Sequence, residues 1–153
     1  MESTTERLSV TREVVIDASP ETVWEFLSDP EKIRRWKGID VSFEPRAGSG
    51  YRIEVVPGHT VAGEVVELDP PRRLVYTWGW EGDENVPPGS TTVEYELVPE
   101  GAGTRLRLTH SDLPSEESVA SHTHGWEHYL ERLATVASGG DPGPDPWTLE
   151  RSA

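Results

Sequence analysis

The chain has 153 residues, a length typical of one domain with a single core, and it contains no cysteine, which excludes a disulfide scaffold, a thiol nucleophile and a cysteine-ligated metal. A formal net charge of −14 opposes binding to the phosphate backbone of nucleic acids. No stretch approaches the length of a membrane span or resembles a signal peptide, so we expect a cytoplasmic protein with no membrane insertion.

The first part of the chain predicts a strand followed by two short helices. Residues 8–17 alternate loosely between apolar and polar side chains, which indicates a strand. Ser19 as N-cap and Pro20 at the first helical position predict one helix. Asp29 and Pro30 repeat this signal and predict a second short helix.

Apolar residues then recur at every second position, which predicts six further strands separated by turns rich in Gly and Pro. The predicted strands are 39–45, 51–55, 60–68, 73–80, 93–97 and 105–110. The strand that contains Tyr76, Trp78 and Trp80 is the most amphipathic of them, and these three rings share one of its faces.

The last predicted element is a long helix over residues 115–138, with Ser115 as its N-cap. Its apolar stripe at helical spacing is Val119, His122, Trp126, Leu130, Leu133 and Ala137. This order of elements predicts an α+β helix-grip fold, in which a curved antiparallel sheet of about seven strands wraps around the long helix. We expect residues 1–138 to form the domain, and the Pro/Gly-rich residues 139–153, with Trp147, to form a mobile tail.

Three segments resemble the START-like (SRPBCC) helix-grip superfamily: VVIDASPETVWEFLSDPEKIRRWKG at 14–38, GEVVELDPPRRLVYTWGWEG at 63–82, and GTRLRLTHSDLPSEESVASHTHGWEHYLERL at 103–133. Within it the chain most resembles the branch named after the activator of the heat-shock chaperone ATPase. The superfamily includes ligand carriers, polyketide cyclases and chaperone partners, so the resemblance implies the fold and leaves the activity open.

Six tryptophans are many for this length, and the aromatic surplus predicts a ligand-binding cavity between the sheet and the long helix. The alternative for each ring is ordinary core packing. The predicted ligand-binding residues are Trp36, Tyr51, Ile53, Tyr76, Trp78, Trp80, Tyr95, Leu97, Leu108, His110, His122, Trp126 and Leu130.

His110 and His122 are the candidate catalytic residues, because each shares a predicted inward face and a neutral imidazole can act as acid or base. The alternative is that both are hydrogen-bonded core histidines. His124 and His128 have the i, i+4 spacing of a zinc pair but lack a third ligand, so we predict no metal and no cofactor. The alternation does not decide which of the strand carboxylates Glu54, Glu64 and Glu67 face inward.

Three functions follow as hypotheses. The first is a binder of a hydrophobic, aromatic or polyketide-like small molecule, acting as carrier or by sequestration. Some proteins of this family protect their producers against the producers' own enediyne antibiotics. The resemblance therefore includes such a self-resistance role within this first hypothesis. The second is a polyketide cyclase or dehydratase that uses a cavity histidine or glutamate. The third is a chaperone partner. We favour the non-catalytic binder, as a monomer or homodimer.

Overall fold

The computed structural model describes residues 8–147, and its elements follow one another in the predicted order. The strands are β1 (Leu8–Ile16), β2 (Asp40–Phe43), β3 (Gly50–Val56), β4 (His59–Asp69), β5 (Arg73–Trp78), β6 (Thr91–Glu100) and β7 (Gly103–Leu113). The helices are α1 (Pro20–Ser28), α2 (Pro30–Ile33) and α3 (Glu116–Ala137). The predicted α+β helix-grip fold is confirmed.

The seven strands form one curved antiparallel sheet in the order β1-β7-β6-β5-β4-β3-β2. The first strand pairs with the last, so that Val10 lies opposite His110 and Ile16 opposite Thr104. The chain therefore enters α3 from a strand beside β1, and α3 packs back along β1 and across the sheet. The short helices α1 and α2 contact α3, β6, β7 and β2, and they cover one end of the interior.

The helices begin where the capping signals predict. The Ser19 hydroxyl accepts a hydrogen bond from the Thr22 backbone N–H at 3.3 Å. The Ser115 hydroxyl does the same for the Ser118 N–H at 3.1 Å, and the Asp29 carboxylate caps α2. Each cap satisfies a backbone donor that the first helical turn leaves unpaired, and such caps typically contribute about 1 kcal/mol.

The predicted and observed strand ends differ by up to three residues, and the difference at the end of β5 has a clear structural cause. The alternation predicts a strand as far as Trp80, but β5 ends at Trp78, and Trp80 forms only an isolated bridge with Val61. The cause lies at Gly79, where an added Cβ would stand 1.7 Å from the Pro87 carbonyl oxygen. The following loop crosses the strand at this point, and only a residue without a side chain allows that approach.

A single core lies between the sheet and the helices. Its inward strand residues alternate as predicted, and α3 contributes Trp126, Tyr129, Leu130, Leu133 and Ala137. Within residues 8–147 no helix is both long and apolar enough to cross a membrane.

Residues 139–147 contact the outer side of α3. The Trp147 ring stacks on His128 with 3.7 Å between ring centroids, and the Tyr129 hydroxyl donates to the Asp145 carboxylate at 2.8 Å. The division of the chain at residue 138, and the mobility expected of the tail, remain predictions. Residues 148–153 of that tail lie outside the described residues.

Candidate functional site

All predicted ligand-binding residues belong to the core between the sheet and α3 or to its edge. Trp80 and His122 are half-buried at one end of the interior. The other eleven are buried: Trp36, Tyr51, Ile53, Tyr76, Trp78, Tyr95, Leu97, Leu108, His110, Trp126 and Leu130. Their role in binding a ligand stays a prediction.

The aromatic rings contact one another across the interior. Trp78 of β5 lies 5.2 Å from Trp126 of α3 between ring centroids, and Tyr95 lies 6.2 Å from Trp126. Tyr76 stacks beside Trp78 at 6.4 Å. In this conformation the rings therefore fill much of the space that the sequence predicts as a cavity, and a ligand enters only if some of them move.

An open groove of about 600 Å³ lies outside this interior, between β1 and the second half of α3. Val14, Leu130 and Ala134 form its apolar floor, and an ion pair between Arg12 and Glu127, at 3.0 Å, lies at its edge. The groove includes only Leu130 among the predicted ligand-binding residues.

His110 is fully buried on β7, and both of its ring nitrogens have partners. Its Nδ1 accepts the indole N–H of Trp126 at 3.0 Å, and its Nε2 lies 2.8 Å from the Thr91 hydroxyl. Because that hydroxyl donates to the Trp78 carbonyl, Nε2 must carry the proton and donate to Thr91. The neutral tautomer thus satisfies both hydrogen-bond partners of the ring. Burial lowers the pKa of His110 to about 2, and the nearby charges that His122 and Lys37 can carry lower it further.

His122 has the opposite tautomer. Its Nδ1 donates to the Ser118 carbonyl at 2.8 Å, and its Nε2 accepts the indole N–H of Trp80 at 3.1 Å. Burial lowers the pKa of His122, although its bond to Ser118 opposes the shift. Both histidines are therefore neutral acceptors of a tryptophan N–H, an arrangement that matches the alternative of hydrogen-bonded core histidines.

Trp78 differs from the other three interior tryptophans. Trp126 and Trp80 donate to the two histidines, and Trp36 donates to the Phe26 carbonyl at 2.8 Å. The buried Nε1 of Trp78 has no hydrogen-bond partner, and no other buried side-chain nitrogen or oxygen within residues 8–147 lacks one. An unpaired buried donor costs about 1–3 kcal/mol, so this one requires an explanation.

Lys37 supplies a second unusual group, which no pattern in the sequence indicated. The residue follows α2, and its side chain is only 2% exposed. Its Nζ lies 4.9 Å from the ring centroid of Trp36, 5.0 Å from that of Trp78 and 4.8 Å from that of Trp126. Burial lowers the pKa of Lys37 to about 7.

Two tyrosines extend this polar group along the sheet. The Lys37 amine lies 3.5 Å from the Tyr76 hydroxyl, which shares a 2.8 Å hydrogen bond with the Tyr95 hydroxyl. Burial raises the pKa of both tyrosines, so both are neutral near pH 7. The amine, the unpaired indole N–H and the two phenols thus bring hydrogen-bonding groups together inside an aromatic shell.

The strand carboxylates that the sequence left open lie away from this interior. Glu64 and Glu67 are exposed, and Glu54 alternates with the buried residues Ile53 and Val55. Among residues 8–147 no group of three or more His, Asp or Glu side chains could hold a metal ion.

Little in the sequence could have identified Lys37. It is one of two lysines in the chain, and a lysine between a short helix and Gly38 normally indicates an exposed helix end. Only the packing of α1 and α2 against the end of the sheet turns it inward.

The chain is similar in sequence to one family. Residues 17–138 match the model described as activator of Hsp90 ATPase homolog 1-like protein. No curated protein matches the chain at a significant level.

Solved structures share both the fold and part of the sequence. An activator-like protein from Rhizobium etli is 48% identical, with a TM-score of 0.76 over 96% of this chain and 92% of its own. CalU16 from Micromonospora echinospora is 31% identical, with a TM-score of 0.70 over 86% of this chain and 76% of its own. DynU16, from the dynemicin biosynthetic locus, is 26% identical, with a TM-score of 0.79 over 91% of this chain and 50% of its own.

Proposed function

This chain belongs to the family of activator of Hsp90 ATPase homolog 1-like proteins, and we propose that its function within that family is to bind a hydrophobic small molecule between the sheet and α3. The proposed ligand is aromatic or polyketide-like, and the role is that of a carrier or a sequestering protein. One solved relative, DynU16, comes from the dynemicin biosynthetic locus, which supports a natural product as the ligand.

The observation that carries this proposal is that the aromatic interior contains polar groups that lack the partners such groups normally have. A core that serves packing alone pairs its buried polar groups. Here Lys37 is buried without a carboxylate, and the Trp78 N–H has no acceptor. Ligand sites combine apolar walls with a few polar groups that orient the ligand, which is the composition found here.

Access to this interior requires the rings to separate, and the first half of α3 is the element we propose to move. The buried residues of α3 begin only at Trp126, and Gly125 before it weakens the helix by up to about 1 kcal/mol relative to alanine. Within residues 8–147, the bond between Trp80 and His122 is the single side-chain hydrogen bond that joins Glu116–Gly125 to the sheet.

No specific observation favours catalysis. Both nitrogens of His110 are occupied, both nitrogens of His122 have partners, and Glu54, Glu64 and Glu67 point elsewhere. The cyclase and chaperone hypotheses therefore rest on family resemblance alone.

The six tryptophans make the proposal testable by NMR. Titration of the ¹⁵N-labelled protein with the neutral probe 2-naphthamide should shift the indole signals of Trp78 and Trp126, because the probe must lie between them. The signal of Trp147, which stacks on His128 at the edge of the core, should not move and serves as an internal control. Shifts confined to Trp147, or no shift up to millimolar probe, would contradict the proposal.

A further inference from the structure

The interior holds a buried lysine amine that lacks a counter-ion. Lys37 Nζ lies within 5.0 Å of three indole ring centroids, and cations are attracted to the faces of such rings. Within residues 8–147 no carboxylate lies within ion-pair distance of this amine, whereas Lys32, the other lysine, pairs with Glu25. Buried amines are normally paired, so the missing partner is a property of this site.

The same place also holds an unused hydrogen-bond donor. Trp78 contributes one of the three rings around Lys37, and its N–H is the one buried side-chain donor without an acceptor in the described part of the chain. An unpaired indole N–H and an amine whose one described hydrogen bond goes to the neutral Tyr76 hydroxyl thus belong to one cluster. A single oxygen-bearing group with a negative charge would satisfy both.

We propose that the ligand of this interior is an apolar acid, with a carboxylate or acidic phenol on a ring frame, and that Lys37 and the Trp78 N–H hold its anionic oxygen. This inference rests on the proposed function and specifies the ligand class of that site. The aromatic rings of Trp36, Trp78 and Trp126 would contact the apolar frame, while Tyr76 orients the amine at 3.5 Å.

Binding of an acid should change the charge state of Lys37. Burial lowers the pKa of Lys37 to about 7, so the free protein holds this amine only partly charged at neutral pH. A bound carboxylate favours the ammonium form and should raise that pKa. The other titratable groups around the amine stay neutral near pH 7, since burial raises the pKa of the tyrosines and lowers that of the histidines: Tyr51, Tyr76, Tyr95, His110 and His122.

A matched pair of probes tests the charge directly. 2-Naphthoate and 2-naphthamide have the same ring and nearly the same shape, and both offer an acceptor oxygen, but only the first is an anion. We expect calorimetry at pH 7 to give an affinity for 2-naphthoate at least about tenfold higher in the native protein.

Two lysine variants complete the design. Lys37→Met keeps a flexible apolar side chain and removes the charge, so the two probes should bind with equal affinity and the preference for 2-naphthoate should disappear. Lys32→Met removes the exposed lysine that pairs with Glu25, and it should keep the full preference.

The outcomes separate the two proposals. If 2-naphthamide binds as tightly as 2-naphthoate, or if Lys37→Met keeps the preference, the acid-binding inference is wrong and the binding function stands. If neither probe shifts an interior tryptophan, both proposals fail for ligands of this class.

A second readout follows the amine itself. Because the chain has two lysines, a protein labelled with ¹³C at lysine Cε gives two side-chain signals, which Lys32→Arg assigns. The Lys37 signal should titrate near neutral pH in the free protein and should shift to a higher midpoint with 2-naphthoate bound. An unchanged midpoint at saturation would overturn the contact between Lys37 and the anion.

Discussion

Lys37 is the residue at which the interior departs most from ordinary core packing. A lysine amine buried among indole rings loses its hydration, and no described carboxylate compensates for that loss. The three cation–π contacts offset part of the cost, each by about 0.5–2 kcal/mol. This residue should therefore lower the stability of the free protein. Binding sites often contain such destabilising residues, because function and stability place different demands on a side chain.

This cost predicts a pH-dependent effect of Lys37→Met on stability. The folded pKa of Lys37, about 7, lies below its unfolded value near 10.5, so the unfolded chain binds more protons between these values. The native protein should gain stability as the pH rises from 7, and the cost should be fully present below pH 7. We expect Lys37→Met to be more stable than the native protein by roughly 1–4 kcal/mol at pH 6.5, with a difference that narrows toward pH 9.5.

Urea unfolding at several pH values measures this difference. Comparison of the two proteins cancels the tyrosines, which titrate in both, and Lys32→Met should show no such narrowing. A stability difference that stays constant from pH 6.5 to 9.5 would show that the amine is not desolvated in the folded state.

The turn between α2 and β2, which contains Lys37, lies close to the sheet. Gly38 has φ +97°, in the region that favours glycine, and an added Cβ would lie 2.7 Å from Ile53 Cγ2 of β3. The turn next to Lys37 is therefore pressed against the sheet, with no room for a Cβ at Gly38.

A pair of glycine substitutions isolates that contact. Gly38→Ala and Gly48→Ala both place a Cβ at positive φ, which costs about 1 kcal/mol, but a Cβ added at Gly48 would meet no atom within 4 Å. Gly38→Ala should cost about 1–3 kcal/mol more, because it overpacks the site beside Ile53. Urea unfolding measures both costs, and equal values would mean that the turn relaxes away from the sheet freely.

At the scale of the whole molecule, the core between the sheet and the helices involves residues up to Ala137, whereas residues 139–147 add contacts on the outer side of α3. Arg132 donates to the Gly143 carbonyl at 3.0 Å, and Trp147 covers His128. These contacts stabilise α3 from its outer side, and Arg132 also donates to the Trp36 carbonyl at 3.1 Å, a bond that does not require residues 141–147.

A chain that ends at Gly140 should therefore still fold and bind. We expect its free energy of unfolding to fall by about 1–3 kcal/mol, since the bonds from Arg132, His128 and Tyr129 to residues 142–145 are removed, while the 2-naphthamide affinity changes less than twofold. Urea unfolding and calorimetry measure the two quantities. Loss of folding would place the domain boundary beyond residue 138.

The sequence by itself determined the elements, their order and the inward faces. Caps such as Ser19 and Ser115 act through local hydrogen bonds, and the alternation of Tyr76 and Trp78 reflects a strand period that no tertiary contact alters. These signals are local, so the fold and most of the buried aromatic set could be predicted. The strand end at Trp78 could not, because it depends on a loop that packs against Gly79.

Only the tertiary structure decided which polar groups meet. The tautomers of His110 and His122 depend on Trp126 and Trp80, which lie on other elements. The Trp78 N–H is unpaired because no acceptor from a neighbouring element reaches it. Lys37 has the sequence context of an exposed helix end, yet the packing of the short helices against the sheet directs its amine among three rings. A local sequence pattern indicates which residues are buried and whether they lie on a helix or a strand. Which buried groups form hydrogen bonds with each other depends on residues distant in sequence, so only the folded chain shows it.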